Sequence, residues 1–124
     1  MTLEENTFQE DINALELVII KIERYYNNSL DINDLIIDLE DYLNNLVNVD
    51  KEWKRKFRKS WAVIEECYAM SKYYGLETLD DKYVFQVNGA LSVLKKIAED
   101  KIKELKTYLW QAFQLIDMQL SMIN

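Results

Sequence analysis

Residues 50–75 read DKEWKRKFRKSWAVIEECYAMSKYYG. Trp53, Phe57, Trp61, Ile64 and Tyr68 recur at steps of three or four, which gathers them on one face of an α-helix. Asp50 offers an oxygen to cap the start, and Gly75 stands where a left-handed residue would close the end. The spacing therefore predicts a helix from about Asp50 to Tyr74. No proline occurs in the chain, and the only other glycine is Gly89. The usual breakers of a helix are thus nearly absent on both sides of this stretch.

Working towards the N-terminus, Ile32, Leu35, Ile36, Leu39, Leu43 and Leu46 predict a second amphipathic helix over Asp31 to Asn48. Asp31 is its N-cap, and Asp34 suits the positive end of the helix dipole. Before it, Phe8, Ile12, Leu15, Ile19, Ile22 and Tyr26 predict a helix over Thr7 to Asn27, with Thr7 and Glu10 in a capping-box arrangement. Asn27-Asn28-Ser29 supplies the turn between these two helices.

Towards the C-terminus, Leu76 to Leu79 is a linker and Asp80 a cap. Val84, Val87, Leu91, Leu94 and Ala98 then form a stripe that resumes at Ile102, Leu105, Leu109, Ala112 and Ile116. The step from Ala98 to Ile102 is four where the pattern wants three. Either one helix continues through a stutter, or it bends near Glu99-Asp100-Lys101 and a further helix covers 101–123. Trp110, Phe113, Met118, Met122 and Ile123 make the last segment apolar on most sides. A helix of that kind is expected to pack across the bundle, or else to meet a second copy or a partner. The whole predicts an all-α, antiparallel four- or five-helix bundle in a single domain spanning 1–124.

The chain of 124 residues has a formal net charge of −7. That balance opposes general binding to nucleic acid or to an anionic membrane, and favours a basic partner. The acidic start, Met1 to Asn6, lacks the positive charge of a signal peptide, and Leu17 to Ile20 is too short to span a bilayer. With one cysteine and no signal, the expected location is the cytoplasm.

Histidine is absent, which removes the commonest general base and metal ligand. No phosphate loop and no paired-cysteine zinc motif occurs. Cys67 follows Glu65-Glu66, whose charges disfavour a thiolate, so it reads as a small buried hydrophobe. No enzymatic activity and no cofactor is expected.

Two charged features remain. Asp31, Asp34, Asp38 and Asp41 share a face of the second helix, away from its apolar stripe. Such a row suits a basic partner better than a metal ion, because one helix presents its carboxylates in line and not around a centre. Lys51, Lys54, Arg55, Lys56, Arg58 and Lys59 crowd the start of the third helix, interleaved with Trp53, Phe57 and Trp61. Basic residues with aromatics can hold single-stranded nucleic acid. These aromatics keep core spacing, however, and the acidic ridge is close enough in sequence to pair with the basic stretch across the helical hairpin. In that case Glu4, Glu5, Glu10, Asp11 and Glu16 are the next acidic candidates.

Asp50-Lys51-Glu52-Trp53, Phe57, and Trp61-Ala62-Val63-Ile64-Glu65-Glu66-Cys67-Tyr68-Ala69 together resemble a pattern in small helical bacterial proteins. Those proteins accompany polymorphic toxins, including contact-dependent growth inhibition systems. The preceding Asp34-Leu35-Ile36-Ile37-Asp38-Leu39-Glu40 and the closing Gly75 fit the same pattern, which covers about Leu30 to Ile97. The segment after Ala98 departs from it, being longer and more apolar. The resemblance implies an immunity protein that binds a cognate toxin domain and occludes its active or substrate-binding surface. The toxin would present a basic face, as nucleases do. Asp31, Asp34, Asp38 and Asp41, then Glu65 and Glu66, are the residues expected to meet it. Two alternatives stay open: a self-associating adaptor that dimerises through the C-terminal helix, and nucleic-acid binding through Lys51–Lys59.

Overall fold

The computed structural model describes the backbone of residues 3–123 and the side chains of residues 6–123. Four helices account for nearly all of it: α1 (Leu3–Tyr26), α2 (Ile32–Asn45), α3 (Lys51–Tyr73) and α4 (Asp81–Ile123). The all-α bundle predicted from sequence is what forms. Asp31 caps α2 by accepting from the Asp34 N–H at 2.8 Å, and Asp50 caps α3 by accepting from the Trp53 N–H at 2.7 Å. Gly75 has φ +71°, and the N–H groups of Gly75 and Leu76 close the end of α3 on the carbonyls of Lys72 and Ser71. Asn28, at φ 61°, does the same work after α1. Thr7 is not a cap, since α1 is already helical from Leu3.

Neighbours in sequence are neighbours in space, and α4 returns to pack on α1, so the helices close a four-membered ring. Cross-helix contacts show that each adjacent pair runs antiparallel. Lys95 reaches Glu23 while Lys106 reaches Glu16; Asp38 reaches Lys21 while Val47 reaches Asp11. The core is a single cluster of Ile12, Leu15, Val18 and Ile22 from α1, Leu35, Leu39 and Leu43 from α2, Phe57 and Ile64 from α3, and Val87, Leu91, Leu94 and Leu105 from α4. Val18 occupies the central position of α1, with Ile19 at the margin.

The end of α2 differs from the sequence-based expectation for a tertiary reason, and α4 takes one of the two courses that the sequence left open. α2 ends at Asn45 and not Asn48. Asp11, a buried carboxylate on α1, accepts from the Val47 N–H at 3.0 Å and the Asn48 N–H at 2.6 Å. Those donors are thereby tied to α1, and Leu46 turns extended at ψ 132°. α4 is one continuous helix of 43 residues, about 64 Å long at 1.5 Å per residue. Its buried positions Val87, Leu91, Leu94, Ala98, Ile102, Leu105 and Leu109 pass through the stutter without a break. An extra step of four lets a straight helix keep the same side inward.

Leu109 is the last buried residue of α4. The helix continues to Ile123, and its final apolar side chains do not fold back over the bundle. Trp110, Leu115, Met118 and Leu120 are more than half exposed, and Met122 and Ile123 about four-fifths. The expectation that this tail packs as a final core helix is therefore corrected: the bundle has four helices, and the tail is an extension of the fourth.

Candidate partner-binding surfaces

The acidic ridge is present on the outer face of α2, but its members differ in availability. The Asp31 side chain is engaged as the helix cap. Asp38 forms an ion pair with Lys21 of α1 at 3.0 Å. Asp34 and Asp41 are exposed, and among the described residues neither carboxylate has an ion pair. Exposed Glu40 lies on the same helix and is likewise without one.

The basic stretch at the start of α3 does not neutralise this ridge. Arg55 turns to Glu52 on its own helix, at 2.7 Å. That hydrogen bond, with the guanidinium charge, holds the Glu52 carboxyl below its ordinary range and the Arg55 guanidinium above its own. Arg58 reaches only the Asn44 amide oxygen, at 3.5 Å. The geometry explains the separation. The Trp61 indole N–H donates to the Ile36 carbonyl at 2.9 Å, which marks the side of α2 facing α3. The Lys21–Asp38 pair marks the other side, towards α1, and the ridge lies there.

Glu65 and Glu66 are exposed on α3 and are not brought into the ridge. Of the further acidic candidates, Asp11 is a buried structural clasp, Glu16 pairs with Lys106 at 3.4 Å, and Glu10 is exposed. The side chains of Glu4 and Glu5 lie outside the described residues.

The aromatics of the basic stretch point inward. Trp53 and Phe57 are buried against each other with ring centroids 5.5 Å apart, and Trp61 is half-buried and tied to α2. Trp53 and Phe57 offer no open face for a base to stack on, and the Trp61 ring is only partly exposed. Cys67 is buried, with Sγ 3.4 Å from the Gln86 amide oxygen. Burial, reinforced by the nearby Glu66 charge, raises its thiol above the ordinary value. Among the described residues no cluster of three or more His, Cys, Asp or Glu side chains is arranged to hold a metal ion, and no helix is long and apolar enough to cross a membrane.

An open concavity lies elsewhere, between α3 and α4. It is a groove of about 620 Å³. Val63, Phe85, Ala90, Val93 and Ile97 make it apolar, and Lys56 and Lys59 stand on the α3 side. Phe85 is 82% exposed, and an added Cβ at Gly89 would meet nothing within 4 Å. The sequence contains the signal for this surface. Phe85, Gly89, Val93 and Ile97 follow one another at steps of four, off the stripe that α4 buries. The core stripe alone does not disclose it.

No protein-family model, curated protein or solved structure matches the chain.

Proposed function

We propose that the protein is a non-catalytic inhibitor of the immunity type, which binds a basic protein surface on its toxin partner through the outer face of α2. The observation that carries this reading is the state of Asp34 and Asp41. Both carboxylates are exposed and lack an ion pair among the described residues, although a cluster of basic residues begins one short turn further along the chain. Asp34 also favours the positive end of the α2 dipole, whereas Asp41, further along the helix, has no such duty. Left open on a chain of net charge −7, they steer a cationic partner towards this face and speed its association. The resemblance over Leu30 to Ile97 supports the same assignment, because that segment contains the ridge.

The structure sharpens which side chains to test. Asp31 and Asp38 have structural duties, so charge reversal there mixes folding with recognition. Asp34→Lys with Asp41→Lys spares the cap and the Lys21 pair but puts a cation at the positive end of the α2 dipole, a cost that circular dichroism and urea unfolding of the variant read separately. The probe is the purified product of the neighbouring reading frame, measured by stopped-flow association at low and physiological salt. The reading expects tight binding by the native chain, with association slowed at least tenfold and made less salt-dependent in the variant. Equal association by both forms refutes the ridge as the contact, and no binding by the native chain refutes the inhibitor reading.

A further inference from the structure

We infer that the groove between α3 and α4 receives the α4 tail of a second copy, so that two chains close a two-fold antiparallel dimer. Three observations lead there independently of the α2 reading.

The first is shape and chemistry. The groove is apolar and open, and the tail is helical to Ile123 with most of its apolar side chains exposed. From Thr107 to Ile123 the only charged residue is Asp117, so two such surfaces meet without like-charge repulsion even though each chain is acidic. A membrane surface is the poorer occupant. The tail's polar positions are Gln111, Gln114, Asp117, Gln119 and Ser121, without the lysine or arginine that interfacial helices use.

The second is register. At about 100° per residue, Leu115, Met118 and Met122 fall in the same third of the α4 circumference as Phe85, Gly89, Val93 and Ile97. This face is open: Leu115 is 61%, Met118 62% and Met122 83% exposed. Laid antiparallel, two α4 helices align so that Gly89 faces Met118, with Phe85 level with Met122 and Ile97 level with Trp110 on the flanks. The same alignment brings Lys103, which has no ion pair among the described residues, opposite the Glu104 carboxylate already held by Lys101 at 2.8 Å, near the two-fold axis. Gly89 then has a reason. In a helix interior it costs about 1 kcal/mol relative to alanine, nothing in its own chain crowds it, and a methionine from a second copy would need the space.

The third is area. With the exposed fractions of Phe85, Val93, Trp110, Leu115, Met118 and Met122, ordinary side-chain areas give at most roughly 800 Å² of apolar surface per chain to bury, the scale of each partner's share in a stable interface. The contact is isologous, so both grooves fill and assembly stops at two. The acidic face of α2, which does not pack on α4, stays free in the dimer.

Sedimentation equilibrium of the full chain tests the proposal. The native protein should have twice the mass of the 14.8 kDa chain. Gly89→Lys, placed in open space and favourable to the helix, should leave far-ultraviolet circular dichroism unchanged and shift the mass to that of one chain. In a Cys67→Ser background, Gly89→Cys with Met118→Cys on the same chain should form a covalent dimer on mild oxidation, and Gly89→Cys alone should not. A native chain that stays monomeric at high micromolar concentration overturns the proposal. So does a dimer that survives Gly89→Lys, which would place the contact between tails and not in the groove.

Discussion

Replacing Asp11 by alanine measures how much of this fold depends on one buried carboxylate. The side chain sits on α1, 1% exposed, and accepts from Val47 N–H at 3.0 Å and Asn48 N–H at 2.6 Å. Alanine removes the acceptor and leaves both donors in place. An amide left without a partner costs about 1–3 kcal/mol, depending on how dry it is. Val47 is 65% exposed, so water reaches its amide and the cost there is at the low end. Asn48 is half-buried and makes the shorter bond, so its loss is larger. Removing the cost of burying a carboxylate offsets part of the sum, which leaves a destabilisation of about 2–3 kcal/mol. In urea, at about 1–3 kcal/mol per molar, the unfolding midpoint should fall by roughly 1 M or more. Asp11→Asn keeps one acceptor oxygen and should recover about half of the loss. Equilibrium unfolding followed by circular dichroism reads both variants. If Asp11→Ala falls within about 0.5 kcal/mol of the native chain, as a surface substitution would, then the clasp is not what ends α2 and the explanation given for Asn45 fails.

Trp61→Phe removes the indole N–H that donates to the Ile36 carbonyl, and should cost about 1 kcal/mol in thermal unfolding. A chain whose Trp61 served only to stack on nucleic acid would lose nothing. Cys67 should react slowly with a thiol reagent in the folded state and rapidly in urea, because burial both shields it and raises its thiol. A raised folded-state value stabilises the fold below the ordinary thiol range. Stability should therefore decline as pH rises past about 8.5, and Cys67→Ala should flatten that decline. Tyr25, raised by burial and then by its neighbour Tyr26, adds a second alkaline loss nearer the phenol range. Ending the chain after Gln111 removes no fully buried side chain, but Phe113 and Ile116 are more than half covered, so monomer stability should fall by no more than about 2 kcal/mol. A larger loss, read from the urea midpoint, would mean that the tail supports the core.

The all-helical bundle was legible, though not whether it has four helices or five, because its information is local. Each stripe repeats within one helix, and Asp31, Asp50 and Gly75 act on backbone groups within a few residues of themselves. The end of α2 was not legible, because the group that decides it, Asp11, lies 36 residues away in sequence. The tail illustrates a different limit. An apolar surface from Trp110 to Ile123 says that burial would be favourable, and nothing about which surface provides it. The ridge was visible as four aspartates on one face, but which of them are engaged depends on Lys21 of another helix and on backbone geometry. Pairing with the basic stretch looked available from sequence proximity. The two groups nonetheless lie on opposite sides of α2, a distinction set by how α1 and α3 flank it.

The ring of helices has a consequence for how the chain reaches its fold. Three of its four seams join consecutive helices and close loops of a few residues, so they form early and at little entropic cost. Only the seam between α1 and α4 is non-local, and it unites the two ends of the chain. Folding speed should therefore be governed by this last closure, with Lys95–Glu23 and Lys106–Glu16 forming late. Joining the termini by a linker and reopening the chain at the Gly75 turn would convert that slow seam into a local hairpin.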